Sequence, residues 1–457
     1  MRVIVVGAGV TGLSLGAMLR RLNIDCVVVE RAAHLQSVYQ PPAVLWCNAL
    51  TCMRAFGIDQ CLDHVLPEHS FGIRQGRTKR WLCQVKNDTV KMPELTYYDQ
   101  IPSSNAPTAT SFSYVSQLRQ EFEKLNLAEV PMRMTLSAEV LKNSLRMHCQ
   151  DVRFGQTVVG LEPSKNMAGG VNVIFDDGRA EWADVLVGAD GLHSTVRHLV
   201  YPDQQEALRF ASHQMMQIDG CLRVEEFPDK LGSASCCDFW GAQKALSYMP
   251  MEDSVDGKVA HFSAVLVTAP KELTESQGTS EGFRHAMVRE FQDFGDEITT
   301  MLRSLEITRV HELLKVPVMP QWHNYRAVLA GDAAHGTYPS PLDQDLSLCI
   351  EDAAVLATAL MEVPMPTDTG FAYAFKRYEQ VRRQRIDRYR LQADRARQFF
   401  QLSPAVRDTI CRVVPAPVWI RHQRWLTDWS YSGKCLLNNQ FESEGMVAGA
   451  RLYGNYF

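Results

Sequence analysis

Met1-Arg2-Val3-Ile4-Val5-Val6 opens the chain as an apolar, β-branched run that stops at Gly7. Such a run predicts a strand buried on both faces of a parallel sheet. From Val10 to Leu22 the apolar positions take helical spacing, with Leu15, Leu19 and Leu22 on one side. A second apolar run, Cys26-Val27-Val28-Val29, ends in Glu30. The order is β-α-β, with glycines at the strand-to-helix turn.

Further along, the pattern predicts a helix near Asn48 to Phe56, then an aromatic, turn-rich stretch over 67–112. Ser103 to Thr108 reads as a surface loop. Helical spacing returns in Gln117–Leu125 and Ala138–His148. Val152–Leu161 and Val171–Phe175 read as strands, with Asp176-Asp177-Gly178 as a hairpin turn. Trp182–Val187, Leu246–Met249, His261–Thr268 and Ala327–Ala330 are further strands. Gly282–Ser304, Leu346–Leu360 and the Arg-rich stretch from Ala372 to about Leu402 are helices. The arginines of that last helix read as a solvated face. Beyond Ser403 lie a Pro-Ala-Pro turn and Trp419, Trp425 and Trp429, read as a cover for a pocket or core.

The predicted fold class is α/β: a Rossmann-like dinucleotide-binding domain, an inserted mixed β-sheet domain and C-terminal helices. The dinucleotide domain takes residues 1–66, 126–204 and 316–365. The insertion takes 67–125 and 205–315, and the C-terminal helical region 366–457. A chain of 457 residues has room for both domains. Its 46% hydrophobic content supports sizeable cores. A formal net charge of −5 gives no footprint for nucleic acid. No apolar run reaches the ~20 residues of a membrane helix. No secretory pattern precedes the first strand. The cysteines show no metal-ligand spacing, so no metal site is expected, and adjacent Cys236 and Cys237 read as buried thiols in a reducing cytosol.

Three motifs carry chemistry. In Gly7-Ala8-Gly9-Val10-Thr11-Gly12, Gly7 allows the tight turn, Gly9 admits a pyrophosphate and Gly12 lets helix and strand pack closely. The helix N-terminus offers free N–H groups to phosphates. Glu30 lies 18 positions past Gly12, close to the ~20 of a ribose-binding acid. A carboxylate there repels a 2′-phosphate, so FAD or NAD is favoured at this turn. The second motif is Gly188-Ala189-Asp190-Gly191, and the third is Gly331-Asp332-Ala333-Ala334-His335. Taken alone, Asp190 could be a cap for a helix near Ser194 and Asp332 a turn acid ending a strand.

In this order the motifs resemble those of FAD-dependent aromatic-hydroxylase-like flavoprotein monooxygenases, the group typified by para-hydroxybenzoate hydroxylase. The resemblance rests on the opening fingerprint, on Asp184 to Arg197, and on Ala330 to His335 with Pro339. Glu351-Asp352-Ala353 and Tyr378 to Arg382 also match. It covers roughly residues 1–200 and 310–395. It implies that Glu30 holds the adenosine ribose, that Asp332 and Ala333 meet the ribityl chain, that Asp190 and Gly191 lie near the flavin phosphates, and that Pro339 sits beside the ring. It also implies a transient NAD(P)H reductant, O2 as co-substrate and a small organic substrate, phenol, polyketide or terpenoid-like.

Two positions depart from the family pattern. Where relatives carry Gly-Gln-Gly after the proline, this chain has Asp343-Gln344-Asp345. Asp345 would either cap the next helix or face the flavin. Where relatives carry an FAD-contacting arginine, this chain has Ala138; Arg133 nearby would either substitute for it or, as the commoner case, be a solvated arginine. The departures keep open a redox-silent relative catalysing isomerisation, cyclisation or dehydration, or a non-catalytic binding protein. No side chain declares itself catalytic; His335, Tyr248 and His213 are the ones to examine. Phe239, Trp240 and Tyr248 would form an aromatic substrate wall or, more often for strand aromatics, a core.

Overall fold

The opening apolar run becomes β1 (Arg2–Val6), which lies inside a six-stranded sheet. Strands are numbered in chain order. In this computed structural model β1 is flanked on one side by β2 (Asp25–Glu30) and β9 (Asp151–Phe154). On its other side lie β13 (Val185–Gly188), β20 (Ala327–Leu329) and β19 (His323–Asn324). All neighbours pair in parallel except β19 with β20. The structure describes residues 1–35, 42–62, 65, 68–87, 89–91, 129–164, 169–202, 211–226, 235–253, 257–267, 279–336, 344–363, 365–414 and 418. The expected segments 103–108 and Gln117–Leu125 and the tail tryptophans lie outside the described residues, as does Pro339.

β1 is the point where the chain turns from building the sheet one way to building it the other. Ligands of doubly wound sheets bind at such a switch point, beyond the carboxyl ends of the strands. Val3, Ile4 and Val5 are wholly buried, as a strand covered on both faces requires. The Val10–Arg21 helix covers one face. Its Gly16 lets Val28 and Cys149 approach so closely that a Cβ there would stand 2.8 Å from the Val28 side chain. The Asp345–Met361 helix packs on it, and the 34-residue Asp368–Gln401 helix packs on that in turn.

A second, seven-stranded sheet contains β4 (Ser70–Gln75), β5 (Trp81–Lys86), β14 (Ala211–Arg223), β15 (Ser235–Trp240), β16 (Lys244–Asp253), β17 (Gly257–Leu266) and β18 (Glu306–Lys315). Its order is β18-β14-β17-β16-β15-β4-β5. The Ser280–Glu290 and Asp296–Arg303 helices cover one face, over a core of Phe239, Tyr248, Phe262, Phe291 and Phe294. Three smaller sheets complete the set: β10 (Val158–Pro163) with β11 (Val171–Phe175) and β12 (Ala180–Ala183), β3 (Ala43–Trp46) with β8 (Arg133–Leu136), and β6 (Thr89–Lys91) with β7 (Glu129–Pro131).

Two expected elements divide. Val152–Leu161 is not one strand but β9 and β10 in different sheets, separated at Gly155 with φ of +67°. Gly282–Ser304 is two helices around a 3-10 turn, broken at Gly295 with φ of +89°. Both glycines adopt a left-handed conformation that side-chain-bearing residues rarely take.

The Arg-rich helix is not simply solvated. Arg382, Arg385 and Arg390 are buried. Arg382 donates from Nε to Asp352 Oδ1 at 2.6 Å, from Nη1 to Glu351 and from Nη2 to the Leu348 carbonyl at 3.1 Å. Arg385 Nη2 donates to Glu351 Oε1 at 3.0 Å. Glu351 and Asp352 sit inside an otherwise apolar helix, where unpaired charges would be strongly destabilising. The two arginines and Asn48 answer them.

Candidate FAD-binding edge and the cleft above it

The carboxyl ends of β2, β1, β13 and β20 bring Glu30, Gly7, Gly188 and Gly331 into one line along the sheet edge. Neighbouring strands lie ~4.8 Å apart, so Glu30 and the Gly331 turn stand roughly 14 Å from each other. The three fingerprint glycines have distinct roles. Gly7 has φ of +105°, and a Cβ there would lie 2.5 Å from the Ala189 carbonyl oxygen. A Cβ on Gly12 would lie 1.9 Å from the Gly7 oxygen, so helix and loop could not close. A Cβ on Gly9 meets nothing within 4 Å. Gly9 is also the N-cap of the first helix and brings no capping side chain. The backbone donors of the first turn are therefore available to a ligand in the adjoining space.

That space is a cavity of 280 Å³ lined by Gly7, Gly9, Glu30, Lys142, Gln156 and Gly191, among others. Glu30 braces the loop: Oε2 accepts the Ala8 N–H at 2.8 Å and Oε1 the Ala32 N–H at 3.0 Å. Each oxygen keeps a lone pair for a ligand hydroxyl. Lys142 was missed in the sequence. It lies one turn beyond Ala138 on the Ala138–His148 helix, whose register turns it into the cavity. Burial lowers its ammonium pKa, Glu30 opposes the shift and Arg309 adds to it.

Asp332 begins the Asp332–His335 helix. Its turn touches the fingerprint helix, because a Cβ on Gly331 would lie 2.3 Å from the Thr11 hydroxyl. The Asp332 carboxylate has no hydrogen-bond partner among the described residues and is half-buried. Burial raises its pKa; His335, Arg309 and Arg197 pull it down, and Asp352 pushes it up. An acid held at a sheet edge without a donor is suited to a ligand hydroxyl. Ala333 is buried beside it and gives its carbonyl to Arg197 Nη1 at 3.0 Å.

Asp190 lines the cavity, but its carboxylate caps the Thr195–Val200 helix, accepting from Ser194 Oγ at 2.5 Å and Val196 N–H at 3.0 Å. Gly191 beside it, with φ of +78°, faces open space. The Asp345 carboxylate accepts the Tyr389 hydroxyl through Oδ1 at 3.1 Å. Arg133 is no solvated arginine: it is buried, pairs with Glu68 at 3.8 Å and lies over the Trp46 and Phe71 rings.

His335 is not an acid–base group at a cavity. It is buried against Trp322, with Nε2 2.5 Å from Asp352 Oδ2. The same Asp352 oxygen accepts the Gly331 N–H at 2.8 Å, so this pair fixes the turn that presents Asp332. Tyr248 and Phe239 point into the helix-covered core of the seven-stranded sheet and form no substrate wall. Trp240 packs on Phe399 and Phe400. His213 lies on β14, in a stretch whose side chains are not described. Cys236 and Cys237 are free, buried thiols, as expected. Among the described residues no cluster could hold a metal ion, and no helix is long and apolar enough to cross a membrane.

The edge thus fits an extended dinucleotide: open space at Gly9 and Gly191, a lysine and helix amides for phosphate, and carboxylates at both ends. The chain belongs to the FAD binding domain family, whose sequence profile matches residues 1–390. It is a FAD-dependent monooxygenase, an oxidoreductase of the para-hydroxybenzoate hydroxylase fold group. Among curated relatives, 3-amino-4-hydroxybenzoate 2-monooxygenase of Streptomyces cremeus is 26% identical over 433 residues, covering 93% of this chain and 94% of its own length. FAD-dependent urate hydroxylase of Mycolicibacterium vanbaalenii is 25% identical, with 80% of each chain covered. Among solved structures, Klebsiella pneumoniae HpxO in complex with FAD and uric acid superposes with a TM-score of 0.71 at 21% identity, covering 94% of this chain and 96% of that one.

Proposed function

We propose that the protein inserts one oxygen atom from O2 into an aromatic small molecule, with NAD(P)H as the transient reductant. FAD, when bound, would supply the redox chemistry of hydride uptake and oxygen activation. The chain's own residues bind and orient. Glu30 would take the adenosine ribose, the Gly7–Gly12 turn and Lys142 the pyrophosphate, and Asp332 a ribityl hydroxyl. Gly191 would let the phosphates approach bare backbone, and Ala333 would meet the flavin end. The seven-stranded sheet closes the cleft from above and excludes water. In this division residues 1–66, 126–204 and 316–365 hold the cofactor, and 67–125 and 205–315 hold the substrate.

The observation that carries this reading is the alignment of Glu30, the fingerprint turn and Asp332 along one sheet edge. The two departures do not oppose it. Lys142 brings a cation into the cavity that Ala138 does not supply, and the Asp345 charge is engaged by Tyr389. The aromatic substrate class draws on the relatives, whose names specify aminohydroxybenzoate and urate. The test is a turnover assay with FAD-loaded protein, NAD(P)H and a panel of phenols and heteroaromatics, read by product mass. A product heavier by one oxygen atom, with reductant consumed, supports the proposal. An isomerised product of unchanged composition, or flavin that NAD(P)H never bleaches, refutes it.

A further inference from the structure

The two faces of the seven-stranded sheet differ in chemistry. Ile218, Leu246, Phe262 and their neighbours fill the helix-covered side. Residues one position along each strand point the other way. On that second face one register row runs Arg309, Asp219, Ser263, Ser247 and Asp238, across β18, β14, β17, β16 and β15. Both ends of the row look toward the cofactor-binding part of the chain. Arg309 acts electrostatically on Asp332 and on Lys142. Asp238 feels Arg133 of β8 and accepts the Ser247 hydroxyl at 2.6 Å. The row thus lies on the face of the sheet turned toward the cofactor-binding part of the chain.

Near its Arg309 end, three polar side chains are incompletely satisfied. Gln217 Nε2 donates to Asp219 Oδ1 at 2.8 Å and to Ser263 Oγ at 3.0 Å. The Ser263 hydroxyl donates to the same Asp219 oxygen at 2.6 Å. These donors converge on one carboxylate oxygen. Asp219 Oδ2, Gln217 Oε1 and His311 Nδ1 are buried without partners among the described residues. Asp219 is only 2% exposed and Gln217 7%. His311 is the register neighbour of Gln217. Burial and then Arg309 push its pKa down to about 4, so its ring is neutral at pH 7 and can accept a proton donor. Buried acceptors without donors are destabilising, and three at one point on the face turned toward the cofactor-binding part are explained by a donor that arrives with the ligand.

We propose that Gln217, Asp219 and His311 form the subsite that recognises the substrate, and that they take an N–H-donating group, an amino substituent or ring N–H of an aromatic molecule. The inference rests on the flavoprotein reading above and adds the polarity of the substrate to it.

The test uses two near-isosteric probes that differ in one donor group, 3-aminophenol and 3-methylphenol. Their binding to the FAD-loaded protein is measured by calorimetry. The wild type is expected to bind the amino compound roughly ten- to a hundredfold more tightly. Asp219→Leu and, separately, Gln217→Leu are expected to bring the ratio close to one while FAD affinity stays unchanged. Gln217→Leu alters no charge and carries the test should Asp219→Leu fail to fold by circular dichroism. Equal binding of the two probes by the wild type, as a trapped water satisfying the cluster would produce, overturns the inference; so does a preference that survives either folded variant. A protein that takes up no FAD overturns the flavoprotein reading itself. FAD-loaded protein without probe discrimination overturns only the assignment of this subsite.

Discussion

Arg382→Met tests whether the buried ion network supports the site or merely accompanies it. Arg382 is wholly buried and binds both Glu351 and Asp352. In the variant Glu351 retains Arg385 and Asn48, and Asp352 retains His335 and the Gly331 N–H. The fork that joined the two acids is gone, and Asp352 loses its only arginine among the described residues. Breaking a buried pair from one side costs about 3–5 kcal/mol. At roughly 2–4 °C per kcal/mol for a large domain, melting should fall by about 6–20 °C. Arg382→Lys keeps the charge but not the bidentate geometry, so its melting point should lie between wild type and Arg382→Met. Differential scanning calorimetry at one fixed free FAD concentration makes the comparison, since bound cofactor shifts melting by itself. The same variant should weaken FAD binding, because Asp352 fixes the turn bearing Asp332. A melting point within about 2 °C of wild type would show that the network relaxes without cost and that the reasoning is wrong.

The other expectations concern single groups. Gly12→Ala puts a Cβ 1.9 Å from the Gly7 oxygen, which requires a shift of about 1 Å and should cost on the order of a hundredfold in turnover, with a lower melting point. Gly9→Ala meets no protein atom within 4 Å; it should melt like wild type and lose FAD affinity, and equal FAD affinity would remove the pyrophosphate from that position. Asp332→Asn should stabilise the cofactor-free protein while weakening FAD: a carboxyl whose pKa burial has raised withdraws stability as pH climbs through and above 3.8, and the amide escapes this. A denaturant titration showing a less stable cofactor-free variant would contradict it. For Asp352, burial raises the pKa but His335 and Arg382 overcome it and hold it at about 2, below the ordinary 3.8. Its stabilisation is complete above pH 3.8 and drains as pH falls toward about 2, so Asp352→Asn should flatten the acid limb of stability in that window, as followed by tryptophan fluorescence.

The cofactor edge was legible because its signals are local. An unbroken β-branched run, three glycines and an acid at the right distance are all read within thirty residues, and the structure puts them at one strand-end. The ion network was not legible in the same way. Arg382 and Arg385 look like surface charges in a helix of many arginines, and their partners lie about thirty positions earlier. The available signal was the acid pair Glu351-Asp352 inside an apolar helix, which demands cations. Asp190 shows both readings at once: it lines the cavity, and its carboxylate also caps a helix. Lys142 depended on helix register, which carries it one turn past the expected arginine position. The polar row was half-visible as the alternation Gln217-Ile218-Asp219, but its facing side depends on strand pairing that no local pattern reveals.

The most direct test is an equilibrium titration of the purified, cofactor-stripped protein with FAD, followed by flavin absorbance and fluorescence, alongside Glu30→Ala and Asp332→Ala. One FAD per chain is expected, with each variant binding several-fold to a hundredfold more weakly, as loss of a charged hydrogen bond implies, and with NAD(P)H bleaching the bound flavin. No saturable binding, or binding indifferent to both substitutions, would contradict the claim that this sheet edge holds a single extended FAD.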